Sequence, residues 1–165
     1  MRNTLRLFTA VLTLALLSAQ SGSAAGSLTL TFSSNASGIS MGGTGTSSAS
    51  IAFGSVRAYG GSVPTGVTKS LNGTTNWTLS TPINVEVTKS GVTSASYTMT
   101  AQLKTSDATL TWKLGSATVT SASPATVTTS GVYGSSTPYT FSLTIPFSAS
   151  ARSVNNTVDI VVTSN

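Results

Sequence analysis

The sequence predicts an all-β protein, a single antiparallel β-sandwich, and three observations carry the prediction. From Gly26 onward apolar residues recur at every second position, the period that sends alternate side chains to opposite faces of a strand. Gly, Asn, Asp, Pro and Ser interrupt that period at short intervals, and no helical period survives beyond the first 25 residues. Of 165 residues, 30 are Ser and 30 are Thr. Threonine suits an outward strand position, because its β-branch favours extended backbone while its hydroxyl stays hydrated.

Each strand can be read in turn. Residues 27–32 set Leu28, Leu30 and Phe32 on one face and hydroxyls on the other. Ile83, Val85 and Val87 alternate with Asn84, Glu86 and Thr88, and Tyr97, Met99, Ala101 and Leu103 alternate with Thr98, Thr100, Gln102 and Lys104. Leu110, Trp112 and Leu114 continue the pattern, and Trp77 is in phase with Leu79. The longest run is Tyr139, Phe141, Leu143, Ile145 and Phe147, followed by Val158, Ile160 and Val162 with Asp159 and Thr163 outward. These are half-buried strands, with one core face and one wet face. Turn signals at Gly60-Gly61, Asn72-Gly73, Ser90-Gly91, Ser106-Asp107, Gly115-Ser116, Ser123-Pro124, Gly131 and Gly134 separate them. A folded length near 140 residues fits one domain of seven to ten strands.

Residues 1–25 read as a cleaved secretory signal: Arg2 and Arg6 precede an uncharged apolar run over 7–17, and Ser23, Ala24 and Ala25 are small enough for cleavage. That run is well short of the roughly 20 residues needed to span a bilayer, so no stable membrane span is expected. The destination is extracellular, periplasmic or the cell surface. The net charge of +5 falls to near +3 once Arg2 and Arg6 are removed. The remaining cations, Arg57, Lys69, Lys89, Lys104, Lys113 and Arg152, are spread singly. Phosphate recognition needs them clustered, so no nucleic-acid partner is expected.

Residues 26–50 hold the first strand and a tether. Over 33–50 the chain is rich in Ser, Gly and Thr and carries no charge. It serves either as a long surface loop or as a flexible connection; a strand on such a connection can complete its own sheet or a neighbour's. Residues 51–165 form the sandwich domain.

The composition excludes much chemistry. With no His and no Cys, there is no Ser-His-Asp triad, Cys nucleophile, disulfide framework or usual zinc site. Beyond residue 25 the carboxylates are Glu86, Asp107 and Asp159. Glu86 and Asp159 would serve a glycosidase only if they faced each other across a cleft; as scattered outward charges they limit edge-to-edge aggregation. Three dispersed acids also make a poor calcium site. Lys69-Ser70 and Lys89-Ser90 read as turn residues, and Gly42-Gly43-Thr44-Gly45 lacks the lysine of a phosphate loop. No catalytic residue, metal ligand or cofactor site is expected. Trp112, Tyr97, Tyr139, Phe141 and Phe147 fall on the inward period, whereas Tyr59 and Tyr133, beside glycines, are candidate ligand-contact aromatics for a glycan. The N-x-S/T matches at Asn35, Asn72, Asn76 and Asn155 are expected from composition alone.

The chain resembles secreted bacterial β-sandwich subunits of the fimbrial and spore coat protein U type. The resemblance rests on the signal segment, on residues 51–56 (IAFGSV), and on the alternating pair 139–147 and 155–165. It covers about a third of the chain, and it departs from the many members that carry a disulfide. It implies an immunoglobulin-like fold and a structural or adhesive role in a surface assembly. The expectation is therefore a secreted, non-enzymatic surface protein that assembles with itself or related subunits by strand addition, with Leu28, Leu30 and Phe32 as donor residues. The alternative is a carbohydrate-binding module.

Overall fold

A stretch that alternates apolar and hydroxyl residues can bury one face only if successive side chains point in opposite directions, and extended backbone provides that. The computed structural model describes residues 23–34, 39–41, 48–150 and 152–165. The signal reading of residues 1–22, and the tether at 35–38 and 42–47, lie outside the described residues.

The described residues form no helix and eleven strands: β1 (Ser23–Ser34), β2 (Ile39–Met41), β3 (Ser48–Arg57), β4 (Thr68–Asn72), β5 (Asn76–Lys89), β6 (Ser96–Leu103), β7 (Thr111–Leu114), β8 (Ala117–Val119), β9 (Ala125–Val132), β10 (Ser136–Pro146) and β11 (Arg152–Ser164). Among them no helix is long and apolar enough to cross a membrane. They build two sheets, so the all-β sandwich is what the chain adopts. One sheet runs β3-β1-β11-β6-β9; the other runs β2-β5-β10-β7-β8, with β4 also on β5.

The count exceeds the expected seven to ten because β2 and β8 are three residues each, too short to show a period. One pairing also departs from the antiparallel rule. β1 runs parallel to β11, with Leu30 beside Val158 and Phe32 beside Ile160, and antiparallel to β3 on its other side. Parallel neighbours need a long connection, which sequence-distant strands supply at no extra cost. β1 begins at Ser23, so its first three residues overlap the end of the segment whose sequence reads as a signal.

The core lies between the sheets. Tyr97, Met99, Ala101 and Leu103 of β6 and Val158, Ile160 and Val162 of β11 meet Trp77, Leu79, Val85 and Val87 of β5, Phe141, Leu143 and Ile145 of β10, and Trp112 and Leu114 of β7. Among the described residues no polar or charged side chain is buried. Tyr139 and Phe147 are half-buried and pack against this cluster.

Two glycines are required by geometry. Gly115, at φ +59, opens the two-residue turn joining Leu114 to Ala117, where hairpin twist favours the left-handed region. Gly131 lies opposite Tyr97 in the β6–β9 ladder. The Tyr97 ring lies over it, so closely that a Cβ there would fall 2.1 Å from the ring.

Candidate functional site

Strand register sorts the loops into two ends. β5 runs from Asn76 to Lys89, and the Phe147 amide donates to the Thr75 carbonyl at one end while the Gly134 amide donates to the Val87 carbonyl at the other. About 40 Å of strand separates those two bonds at ~3.3 Å per residue. At the Asn76 end the chain gathers the loop after β3, the β4–β5 hairpin, the β6–β7 and β8–β9 loops and the β10–β11 turn. Loops held on a rigid sandwich are where binding residues concentrate.

The two candidate aromatics lie at opposite ends, so they share no platform. Tyr59, at the loop-bearing end, is 55% exposed and stacks on Phe147, with centroids 5.4 Å apart and planes 7° from parallel. Leu71, 51% exposed, lies at the same end, opposite Trp77 in the β4–β5 ladder. The Lys69 ammonium donates to the carbonyls of Arg57 (3.0 Å) and Gly60 (2.8 Å), fixing the loop that carries Tyr59. Asn72 donates to Asn76 Oδ1 and Thr78 Oγ1 across the adjoining hairpin.

Tyr133 is half-buried and packs inward. Its ring lies 5.2 Å from that of Tyr97, Lys89 Nζ sits 4.9 Å above it, and its hydroxyl is buried without a partner. The sequence offers it as a candidate exposed ring because it lies between Gly131 and Gly134. What decided its position was its proximity to Tyr97, set by the register of β9 on β6.

Burial pushes the Tyr97 hydroxyl above its ordinary value of 10.0, with Tyr139 and Tyr133 adding to the rise, and burial raises Tyr139 as well. The folded chain then holds these protons more tightly than the unfolded chain. Their contribution to stability is therefore fully present below pH 10 and is lost as pH rises through the folded values. Tyr97→Phe should flatten the decline of the urea midpoint above pH 10. At neutral pH it should cost less than about 1 kcal/mol, because the Tyr97 hydroxyl has no hydrogen bond to lose.

The carboxylates do not build a catalytic pair from the two strands that carry them. Glu86 lies between buried Val85 and Val87 on β5, and Asp159 between buried Val158 and Ile160 on β11; they stand on the opposite outer faces of the sandwich. Asp107 Oδ1 accepts the amides of Thr109 (3.0 Å) and Leu110 (3.2 Å) and shapes the β6–β7 loop. Among the described residues no three His, Cys, Asp or Glu side chains group as metal ligands. Lys104 directly follows β6 and Lys113 lies on β7, strands of different sheets.

Sequence reasoning missed a cleft of about 320 Å³ at the loop-bearing end, lined by Leu103, Leu110, Trp112, Val119, Asp107 and the surrounding Ser, Thr and Ala residues of β7, β8 and the β6–β7 and β8–β9 loops. The in-phase Leu110 and Trp112 were a signal for burial, not for a cavity.

Leu28, Leu30 and Phe32, the candidate donor residues, lie on β1, in register with Asn156, Val158 and Ile160 of β11. These features define a two-sheet, all-β sandwich with a centrally inserted N-terminal strand and one loop-bearing end. No family model matches the chain, and no curated protein matches it in sequence.

Proposed function

We propose that the protein is a secreted, non-enzymatic surface protein, structural or adhesive in role, whose copies assemble by β-strand addition through β1. The placement of β1 supports this reading. It lies in the interior of its sheet, between the ten-residue β3 and the thirteen-residue β11, and residues 35–47, which include the three-residue β2, connect it to β3. Without it, two long ladders lose their partner at once. With β2 released from its three-residue pairing on β5, residues 35–47 would reach about 45 Å if fully extended, more than the roughly 35–40 Å diameter expected of a domain this size. The same strand can thus fill its own slot or a neighbour's, and Leu28, Leu30 and Phe32 travel with it as the residues that specify register.

The test compares the mature chain with a variant lacking residues 26–34, by sedimentation and electron microscopy before and after denaturation and refolding. The intact chain is expected to form concentration-dependent multimers on refolding. The truncated chain should not, and should take up a synthetic peptide of residues 23–34. Identical monomers from both chains under all conditions would overturn strand addition.

A second reading, a carbohydrate-binding module, is favoured by one observation: the exposed Tyr59 ring braced on Phe147. Glycan binding abolished by Tyr59→Ala is the result that reading expects.

A further inference from the structure

The cleft at the loop-bearing end has no part in strand addition. It opens between the two sheets, where Leu103 ends β6 and Trp112 faces Val119 in the β7–β8 ladder. Its volume, about 320 Å³, lies at the lower end of the range for small-molecule sites.

Both loops that bound it are fastened to strands. Asn156 brackets Thr105, accepting its amide at 3.2 Å and donating to its carbonyl at 2.9 Å. Asp107 ties the next turn through Thr109 and Leu110. On the other wall, the Leu103 amide donates to the Thr120 carbonyl at 3.0 Å, and Gln102 Nε2 donates to the Ser121 carbonyl at 2.9 Å. Such a site is preorganised, and a ligand entering it need not order its walls.

The lining selects the chemistry. No Lys or Arg lines the cleft, so an anionic ligand meets no counter-charge, and a carboxylate at Asp107 disfavours one further. The inner wall is apolar, through Leu103, Leu110, Trp112 and Val119, while Ser106, Thr111, Thr118, Thr120 and Ser121 bring hydroxyls around it. Trp112 closes the floor with an indole only 1% exposed, so polar contact with a ligand falls to the hydroxyls of the rim. The complement is a compact neutral molecule that alternates C–H surface with hydroxyls able both to accept and to donate.

We propose that this cleft is a binding site for a neutral sugar unit, the recognition site of the adhesive role inferred above. The proposal rests on the adhesive part of that reading and moves the glycan contact from an exposed ring to the Trp112 cleft.

The test is a glycan array followed by calorimetric titration of the full mature chain with neutral, sialylated and sulfated saccharides. Neutral saccharides are expected to bind, and their acidic derivatives to bind at least tenfold more weakly. Ala108→Trp and Ser121→Trp, which fill the cleft from either wall, should each weaken binding tenfold or more with an unchanged melting temperature. Saccharide should also shift Trp112 fluorescence. The cleft is overturned if no neutral saccharide binds, or if binding survives in whichever of the two variants folds. Binding lost in Tyr59→Ala but intact in both filled variants overturns the cleft and returns the sugar to the aromatic pair. Since none of these substitutions touches β1, assembly on refolding is measured in parallel, and its loss or survival reports on strand addition alone.

Discussion

Gly131→Val should be among the most damaging single changes in the protein, lowering stability by about 3 kcal/mol or more, beyond ordinary overpacking. A Cβ at this position would lie 2.1–2.6 Å from three atoms of the Tyr97 ring. The ring cannot swing aside, because Tyr97 is fully buried and bears on Tyr133. Nor can β9 slide away: Asn165 Nδ2 donates both to the Thr129 carbonyl (2.9 Å) and to Ser96 Oγ (2.8 Å), while its Oδ1 accepts from Thr98, so one amide clasps β9 to β6. Urea unfolding should show a lower midpoint with an unchanged slope. Pairing Gly131→Val with Tyr97→Leu should recover much of the loss, since the two residues compete for one volume. Additive effects would show that the glycine is needed for its backbone instead.

Trp77→Ala should cost a similar amount, about 3–5 kcal/mol, the range for truncating a large buried aromatic. Trp77 is 0% exposed, and its strand position is flanked by Leu71 of β4 and Ile145 of β10. The loss would be a large part of the ~5–15 kcal/mol available to a domain. Trp77→Phe should be far milder. It keeps much of the apolar contact and removes an indole N–H that is buried without a partner, a group whose deletion forfeits no hydrogen bond. Thermal unfolding of the two variants side by side checks the contrast; equal losses would mean that the indole nitrogen is engaged.

Much of the fold could be read from spacing alone. The alternation at residues 97–103 becomes a strand whose every second residue is buried, and that at 139–145 does nearly the same. Period two is a local property, and burial on one face follows from it. Outward placement of Glu86 and Asp159 was legible for the same reason. That they occupy opposite faces was not, because the assignment of β5 and β11 to different sheets is decided by packing across the whole chain. The stacking of Tyr59 on Phe147 and the fit of Tyr97 over Gly131 depend on register between distant segments. The cleft depends on where two loops leave their strands, and loop paths follow from individual hydrogen bonds such as those of Asn156 and Asp107, which have no period to announce them.

The position of β1 also sets an order of events. Leu28 pairs with Asn156, a separation of 128 residues, and contacts of such range are among the last a chain can make, since the loop must close before the contact repays it. Until β11 arrives, β1 and β3 form at most an isolated two-stranded ribbon, which is marginal in water. The middle of the five-stranded sheet is therefore the late-closing seam of the molecule. The seam stays open longest under conditions that slow refolding, and that interval is when the proposed strand addition would let a strand from another chain compete with β1.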